Sequence, residues 1–150
     1  MKRANVAVLL ACLLGIPAGI GAFTFVYAHG FSYLSTDPRA CVNCHIMNDQ
    51  YSAWLKSGHR HAATCVECHL PASGLAKWVA KADHGFRHSV AFTFQNFKEP
   101  IEITPHDRAL AQENCLRCHG DFVQAVHTSP AGRELDCMHC HAGAGHGAGG

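Results

Sequence analysis

Charged side chains are scarce in this chain. Asp, Glu, Lys and Arg make up 15% of its 150 residues and nearly cancel, leaving a formal charge of +1. With 48% apolar residues it has enough apolar surface to collapse, which excludes a disordered polyelectrolyte. Beyond Lys2-Arg3 there is no basic run with interleaved aromatics, so nucleic acid is set aside as a partner. The length sets a ceiling of one domain with an appendage. What is abundant is 13 histidines and nine cysteines, which together outnumber the 12 Lys and Arg residues. Both side chains are metal ligands, and the composition points to a chain built around metal.

From Val6 to Ala28 Thr24 is the only polar side chain among apolar residues, Gly and Pro17. As a helix this run would reach roughly 34 Å, enough for a hydrocarbon core of about 30 Å. Lys2 and Arg3 precede it and the next basic residue is Arg39, so the positive-inside bias keeps the N-terminus cytoplasmic and exports the rest. Phe23, Phe25, Tyr27, Phe31 and Tyr33 then fall near the outer interface. Leu9-Leu10-Ala11-Cys12 resembles a lipoprotein cleavage box, but it leaves too short an apolar run before Cys12, and an uncleaved anchor is the better reading. Gly15 and Gly19 have helix-dimer spacing, weakened by Pro17 between them. The expected organisation is an anchor over residues 1–30 and an exported domain over 31–150, single-pass in the cytoplasmic (inner) membrane.

The exported part repeats Cys-x-x-Cys-His four times: Cys41-Val-Asn-Cys44-His45, Cys65-Val-Glu-Cys68-His69, Cys115-Leu-Arg-Cys118-His119 and Cys137-Met-His-Cys140-His141. Two thiols three positions apart can form thioethers to the two vinyl groups of one haem, and the adjacent imidazole reaches the iron. At the chain's own Cys and His frequencies chance supplies on the order of 0.05 such motifs. Paired Cys-x-x-Cys segments could instead bind zinc, but zinc does not require a histidine after every pair. Disulfides leave the spacing and the histidines equally unexplained. Four c-type haems are therefore expected, with Cys12 left as a small packing residue in the anchor.

Four porphyrins would supply much of the core of so small a domain. The fold class expected is mainly α with much irregular structure, one transmembrane helix plus a compact tetrahaem domain, and the motifs on short helices. Thr104 as N-cap, Pro105 at the first helical position and Asp107 at the third mark a helix running toward Cys115. A second helix is legible over about Gly74 to Phe97. There Leu75, Trp78, Val79, Ala82, Phe86 and Val90 have the spacing of a buried face, while Lys77, Lys81, His84 and His88 form a polar stripe. Such a stripe is by default a solvated face.

Four six-coordinate haems need eight axial ligands, of which the motif histidines could supply four. His29, His59, His61, His84, His88, His106, His127, His139 and His146 compete for the others. His146 lies in a Gly-rich tail that can fold back over a haem, and His59 in a Ser-Gly-His turn where Gly58 permits close approach.

The N-terminal anchor, the Cys41-Val-Asn-Cys44-His45-Ile-Met47 opening, Ser57-Gly58-His59, Gly85-Phe86-Arg87-His88, Glu99-Pro100-Ile-Glu-Ile-Thr-Pro105 and the terminal Gly145-His146 together resemble one group. It is the NapC/NirT family of tetrahaem quinol dehydrogenases, and within it the small subunits of cytochrome c nitrite reductases. The resemblance implies that Met47 is the axial ligand of the first haem, with His45 displaced from iron. It pairs His69 with His146 on the second haem and His119 with His59 on the third. On the fourth, held by His141, the distal ligand would be a lysine of the catalytic partner. Where the family has an aspartate beside the first haem this sequence has His88, which makes His88 a candidate sixth ligand or neighbour of that haem.

The function implied is oxidation of menaquinol at the outer interface, with electrons passing to a periplasmic multihaem nitrite reductase that makes ammonia. Quinol oxidation also releases protons, and Lys81, His84 and His88 are the candidate quinol-site residues and proton acceptors. A Met-ligated haem has a higher potential than a bis-His one, which suits it to accept electrons from quinol. The expected partners are the membrane, menaquinol and the reductase's catalytic subunit, and an oligomeric complex is compatible with them. The alternatives are a quinol dehydrogenase feeding another terminal reductase, and a tethered electron carrier without a quinol site.

Overall fold

A computed structural model of the chain describes residues 3–127 and 136–147. It divides into two units, Met1–Ser35 and Thr36–Gly150. In the first, α1 (Arg3–Tyr27) carries the apolar run without interruption at Pro17, and its 25 residues have a mean hydropathy of 2.3 over the most apolar window. The helix is long and apolar enough to cross a membrane, and none of that window is buried against protein. It ends where His29 enters the left-handed region at φ 51°, followed by a 3-10 turn over Gly30–Leu34. Phe31 packs edge-on against Phe25 with ring centroids 5.0 Å apart. A Cβ at Gly30 would collide with the Phe25 ring as it is placed, so glycine allows this close return without moving that ring.

The second unit is built from short capped pieces. Asp37 caps a 3-10 turn, Pro38–Asn43, by accepting from the Arg39 amide at 2.8 Å, and a second 3-10 turn, His45–Met47, leads into α2 (Asn48–Lys56). After the turn Gly58–His61, Thr64 and Glu67 form a capping box: the Glu67 carboxylate accepts from the Thr64 amide at 2.6 Å and starts α3 (Cys65–His69). Helix α4 spans Gly74–Phe94 and stops at Gln95, which is left-handed at φ 51°, three residues short of the expected end at Phe97. Helix α5 (Pro105–His127) starts as its sequence requires, with the Asp107 amide donating to Thr104 Oγ1 at 3.1 Å. Asp136 caps α6 (Cys137–Cys140) through the Met138 amide. No strand occurs among the described residues. The second and fourth motifs lie on the short helices α3 and α6, the first on 3-10 turns, and the third inside the 23-residue α5 rather than on a short helix of its own.

Among the described residues the polypeptide has little core of its own: Leu70 and Ala111 are its buried apolar residues. Polar ties hold the pieces instead. Asn114 on α5, 8% exposed, donates from Nδ2 to the carbonyls of Cys68 and Leu70, both at 2.9 Å. Arg117 donates to the Glu67 carbonyl at 2.9 Å, so α5 grips α3 along one edge. Farther up α5, Arg108 pairs with Asp136 at 2.6 Å and Gln112 accepts from the Cys137 amide at 2.8 Å, fastening the fourth motif.

The faces of α4 are the reverse of the expectation. Leu75 and Phe86 are 78% and 71% exposed, Trp78 and Val79 are also exposed, and from the polar stripe Lys81 is buried. Periodicity identifies which residues share a face but assumes an aliphatic interior. Here there is almost no aliphatic interior to receive that face, and of the stripe Lys81 alone is buried, with Lys77 and His84 half-buried and His88 exposed.

Candidate functional site

The first and second motifs meet. Thiols of Cys41 and Cys65 share a hydrogen bond, which lowers the pKa of Cys41 to about 7 and raises that of Cys65. Beside them lies Lys81, 7% exposed, its Nζ 5.4 Å from the centroid of the Trp78 ring. Burial and the neighbouring Lys77 lower its pKa, against the attraction of Cys41. In the same segment His45 is exposed and Met47 half-buried.

Four histidines scattered along the sequence fall into two pairs. The His69 and His146 rings are parallel within 3°, their centroids 5.7 Å apart, and those of His59 and His119 are crossed at 77° and 6.1 Å apart. Two imidazoles opposed across one metal need centroids about 6 Å apart, taking bonds of about 2 Å and a nitrogen about 1 Å from its ring centre. The separation in each pair is close to that distance. Burial lowers the pKa of His69, aided by His146 and His84, and burial alone lowers that of His146, which in both favours the neutral ring that a metal needs. His59 Nδ1 donates to the Ala144 carbonyl at 3.0 Å, which leaves Nε2 as the free nitrogen. A cavity of about 240 Å³ lies beside His146, lined by Ala53, Lys56, Ser57, Gly143 and Gly147. Among the described residues no group of three His, Cys, Asp or Glu side chains gathers as a compact metal site.

On α4, the His84 and His88 rings stack at 5.8 Å. His84 Nε2 meets Asp107 Oδ1 at 3.1 Å, and Thr104 Oγ1 donates to the other carboxylate oxygen at 2.6 Å. Burial pushes the Asp107 carboxyl up, but the bonds from Thr104 and His84 together outweigh it and hold its pKa low. Desolvation, then His84, lower the pKa of His88 against the pull of Asp107. Sequence reasoning took Asp107 only as a cap, since nothing in local spacing reveals a partner 23 residues away. It also missed Asn114 and the Ala144 carbonyl. The third and fourth motifs are the most open, with Cys118, His119, Cys140 and His141 all exposed, and the side chain of His127 lies outside the described residues.

Comparison with known proteins places these features in one family. The family model of the NapC/NirT cytochrome c family, N-terminal region, matches residues 1–149. The cytochrome c-type protein NrfH of Wolinella succinogenes is 36% identical over 146 residues, covering 90% of this chain and 82% of its own. The cytochrome c nitrite reductase subunit NrfH of Nitratidesulfovibrio vulgaris is 31% identical, covering 97% and 88%. Among solved structures, a chain of the cytochrome c nitrite reductase NrfHA complex bound to the HQNO inhibitor matches with a TM-score of 0.63 at 25% identity, covering 87% of each chain. With a membrane-spanning N-terminal helix and four haem-attachment motifs, the chain belongs to the NapC/NirT cytochrome c family.

Proposed function

We propose that this protein is a membrane-anchored tetrahaem cytochrome that oxidises menaquinol on the outer face of the cytoplasmic membrane and delivers the electrons to a periplasmic multihaem nitrite reductase. Its N-terminus faces the cytoplasm. Each haem, when bound, supplies a one-electron acceptor. The eight motif cysteines hold the porphyrins; His69 with His146 and His59 with His119 serve as opposed axial ligands, and Met47 serves the first motif. The family resemblance leaves the haem on His141 for a ligand from the reductase.

The burial of Lys81 beside Cys41 is the observation that carries the quinol reading. A cation withdrawn from water next to the first motif can donate to a quinol oxygen and hold the ring at that motif. Menaquinol loses two electrons and two protons, so a base must stand within reach. His88 shares the helix face of Lys81, seven residues on, and stacks on His84, whose ring Asp107 orients. The protons then have a route from His88 through His84 to the partly exposed Asp107 carboxylate.

In membranes, Lys81→Met and His88→Gln should each lower reduction by a menaquinol analogue at least tenfold, while dithionite still reduces every haem. Unchanged quinol reduction in both variants would refute the site, and a nitrite reductase absent from the co-purifying proteins would refute the partner.

A further inference from the structure

The turn that carries His146 also touches His59. It leaves the fourth motif directly: the Ala144 amide donates to the His141 carbonyl at 3.0 Å and the Gly147 amide to the Gly143 carbonyl at 3.0 Å. Between these bonds the Ala144 carbonyl faces outward from the turn and accepts from His59 Nδ1. His59 is held from its other side as well. Ser57 Oγ accepts from the His59 amide at 3.2 Å and donates to the Trp54 carbonyl at 2.9 Å, while Trp54 Nε1 donates to the Ala63 carbonyl at 3.0 Å. Ser57 and His146 line the same cavity, so the two histidine-bearing segments border one space.

We infer that this C-terminal turn is a shared support for two haem sites: it presents His146 to the second and, through the Ala144 carbonyl, fixes the tautomer, basicity and ring plane of His59 at the third. This rests on the axial-ligand reading given above. An imidazole that donates its distal N–H to a carbonyl is a more basic ligand, which favours ferric iron. The bond also restrains rotation of the His59 ring about its own axis, which holds it crossed at 77° to His119. The two sites are distinguishable by that angle. Parallel imidazole planes, as at His69 and His146, separate the iron d orbitals they overlap and give a rhombic ferric EPR signal; crossed planes leave them nearly degenerate and give a signal at larger g.

The test uses the full membrane-anchored holoprotein and three variants, read by EPR and by redox titration of each signal. A chain ending at Gly143 loses both His146 and the Ala144 carbonyl. It should lose the rhombic signal, and the large-g signal should move toward smaller g with its potential raised by up to tenfold in ferric preference, about 59 mV for one electron. His146→Ala keeps the carbonyl and should abolish the rhombic signal while sparing the large-g one. Where the truncated chain does not accumulate, Ala144→Pro removes the amide that ties the turn to His141; it should shift the large-g signal and leave the rhombic one. A large-g signal unchanged in position and potential in the truncated chain, or in Ala144→Pro in its stead, overturns the inference. Failure of the ligand reading looks different: either no large-g signal in the unaltered protein, or a rhombic signal that survives His146→Ala.

Discussion

Replacing Asn114 by leucine tests whether polar ties do the work that a side-chain core does elsewhere. The Asn114 amide makes two bonds of 2.9 Å, one to the Leu70 carbonyl in buried surroundings and one to the partly buried Cys68 carbonyl. A neutral hydrogen bond is worth about 1 kcal/mol net, and a buried carbonyl left without a partner costs about 1–3 kcal/mol. Water can reach the Cys68 carbonyl, so its loss stays near the lower figure, and the Leu70 carbonyl contributes most. Leucine keeps the branching of asparagine but carries bulkier methyl groups, so any overpacking adds to this loss. The expected loss is about 2–4 kcal/mol, a fall in Tm on the order of 10 °C for a unit of this size. Thermal unfolding of the detergent-solubilised holoprotein, followed by far-UV circular dichroism, measures it. Asn114→Asp should be worse at neutral pH, because a carboxylate cannot donate and would face two carbonyl oxygens. A Tm for Asn114→Leu within about 2 °C of the parent would refute the idea that this residue joins α3 to α5.

Intact mass should show four covalently attached haems and retain residues 1–28; a smaller haem count or a missing N-terminus would overturn the motif or the anchor reading. Met47→Ala should change the spectrum of one haem and slow quinol oxidation, and His45→Ala should be milder than His69→Ala; equal effects of the two histidine variants would return His45 to the iron. Asp136 is held below the ordinary carboxylate range chiefly by Arg108, so the stability it contributes is present above its unfolded pKa of about 4 and lost as pH falls through the lowered folded value. Asp136→Asn should therefore be less stable at neutral pH, with a flatter loss below about pH 4, and an acid unfolding profile parallel to the parent's would refute that assignment.

What was legible in the sequence was whatever local chemistry dictates. The apolar run gives α1 because a span must satisfy its own backbone, and Thr104-Pro105-x-Asp107 gives the start of α5 because capping is decided within one turn. The haem motifs were legible because covalent attachment fixes their spacing. Resemblance, not spacing, suggested the partners of His69 and His119, and the structure brings His146 and His59 to them across long stretches of chain. The orientation of α4 was not legible. Its apolar residues do share a face, but the usual inference that such a face is buried fails where the polypeptide has so little core of its own: Leu75, Trp78, Val79 and Phe86 are exposed and Lys81 takes the buried position.

Asp107 shows why such a site escapes sequence reasoning even when its residues are noticed. Its place as third residue of α5 is explained entirely by the cap, in which its amide donates to Thr104 and one carboxylate oxygen accepts from the same hydroxyl. That cap fixes the carboxylate's orientation and leaves its second oxygen aimed across to α4, at 3.1 Å from His84. A local rule thus pre-orients the group that orients His84, at no further cost in side-chain freedom because the cap has already ordered it. The same bond ties α4 to the start of α5, and so fixes Lys81, one turn before His84, against the first motif. The cap of α5 and the placing of the His84 ring are in this way served by one carboxylate.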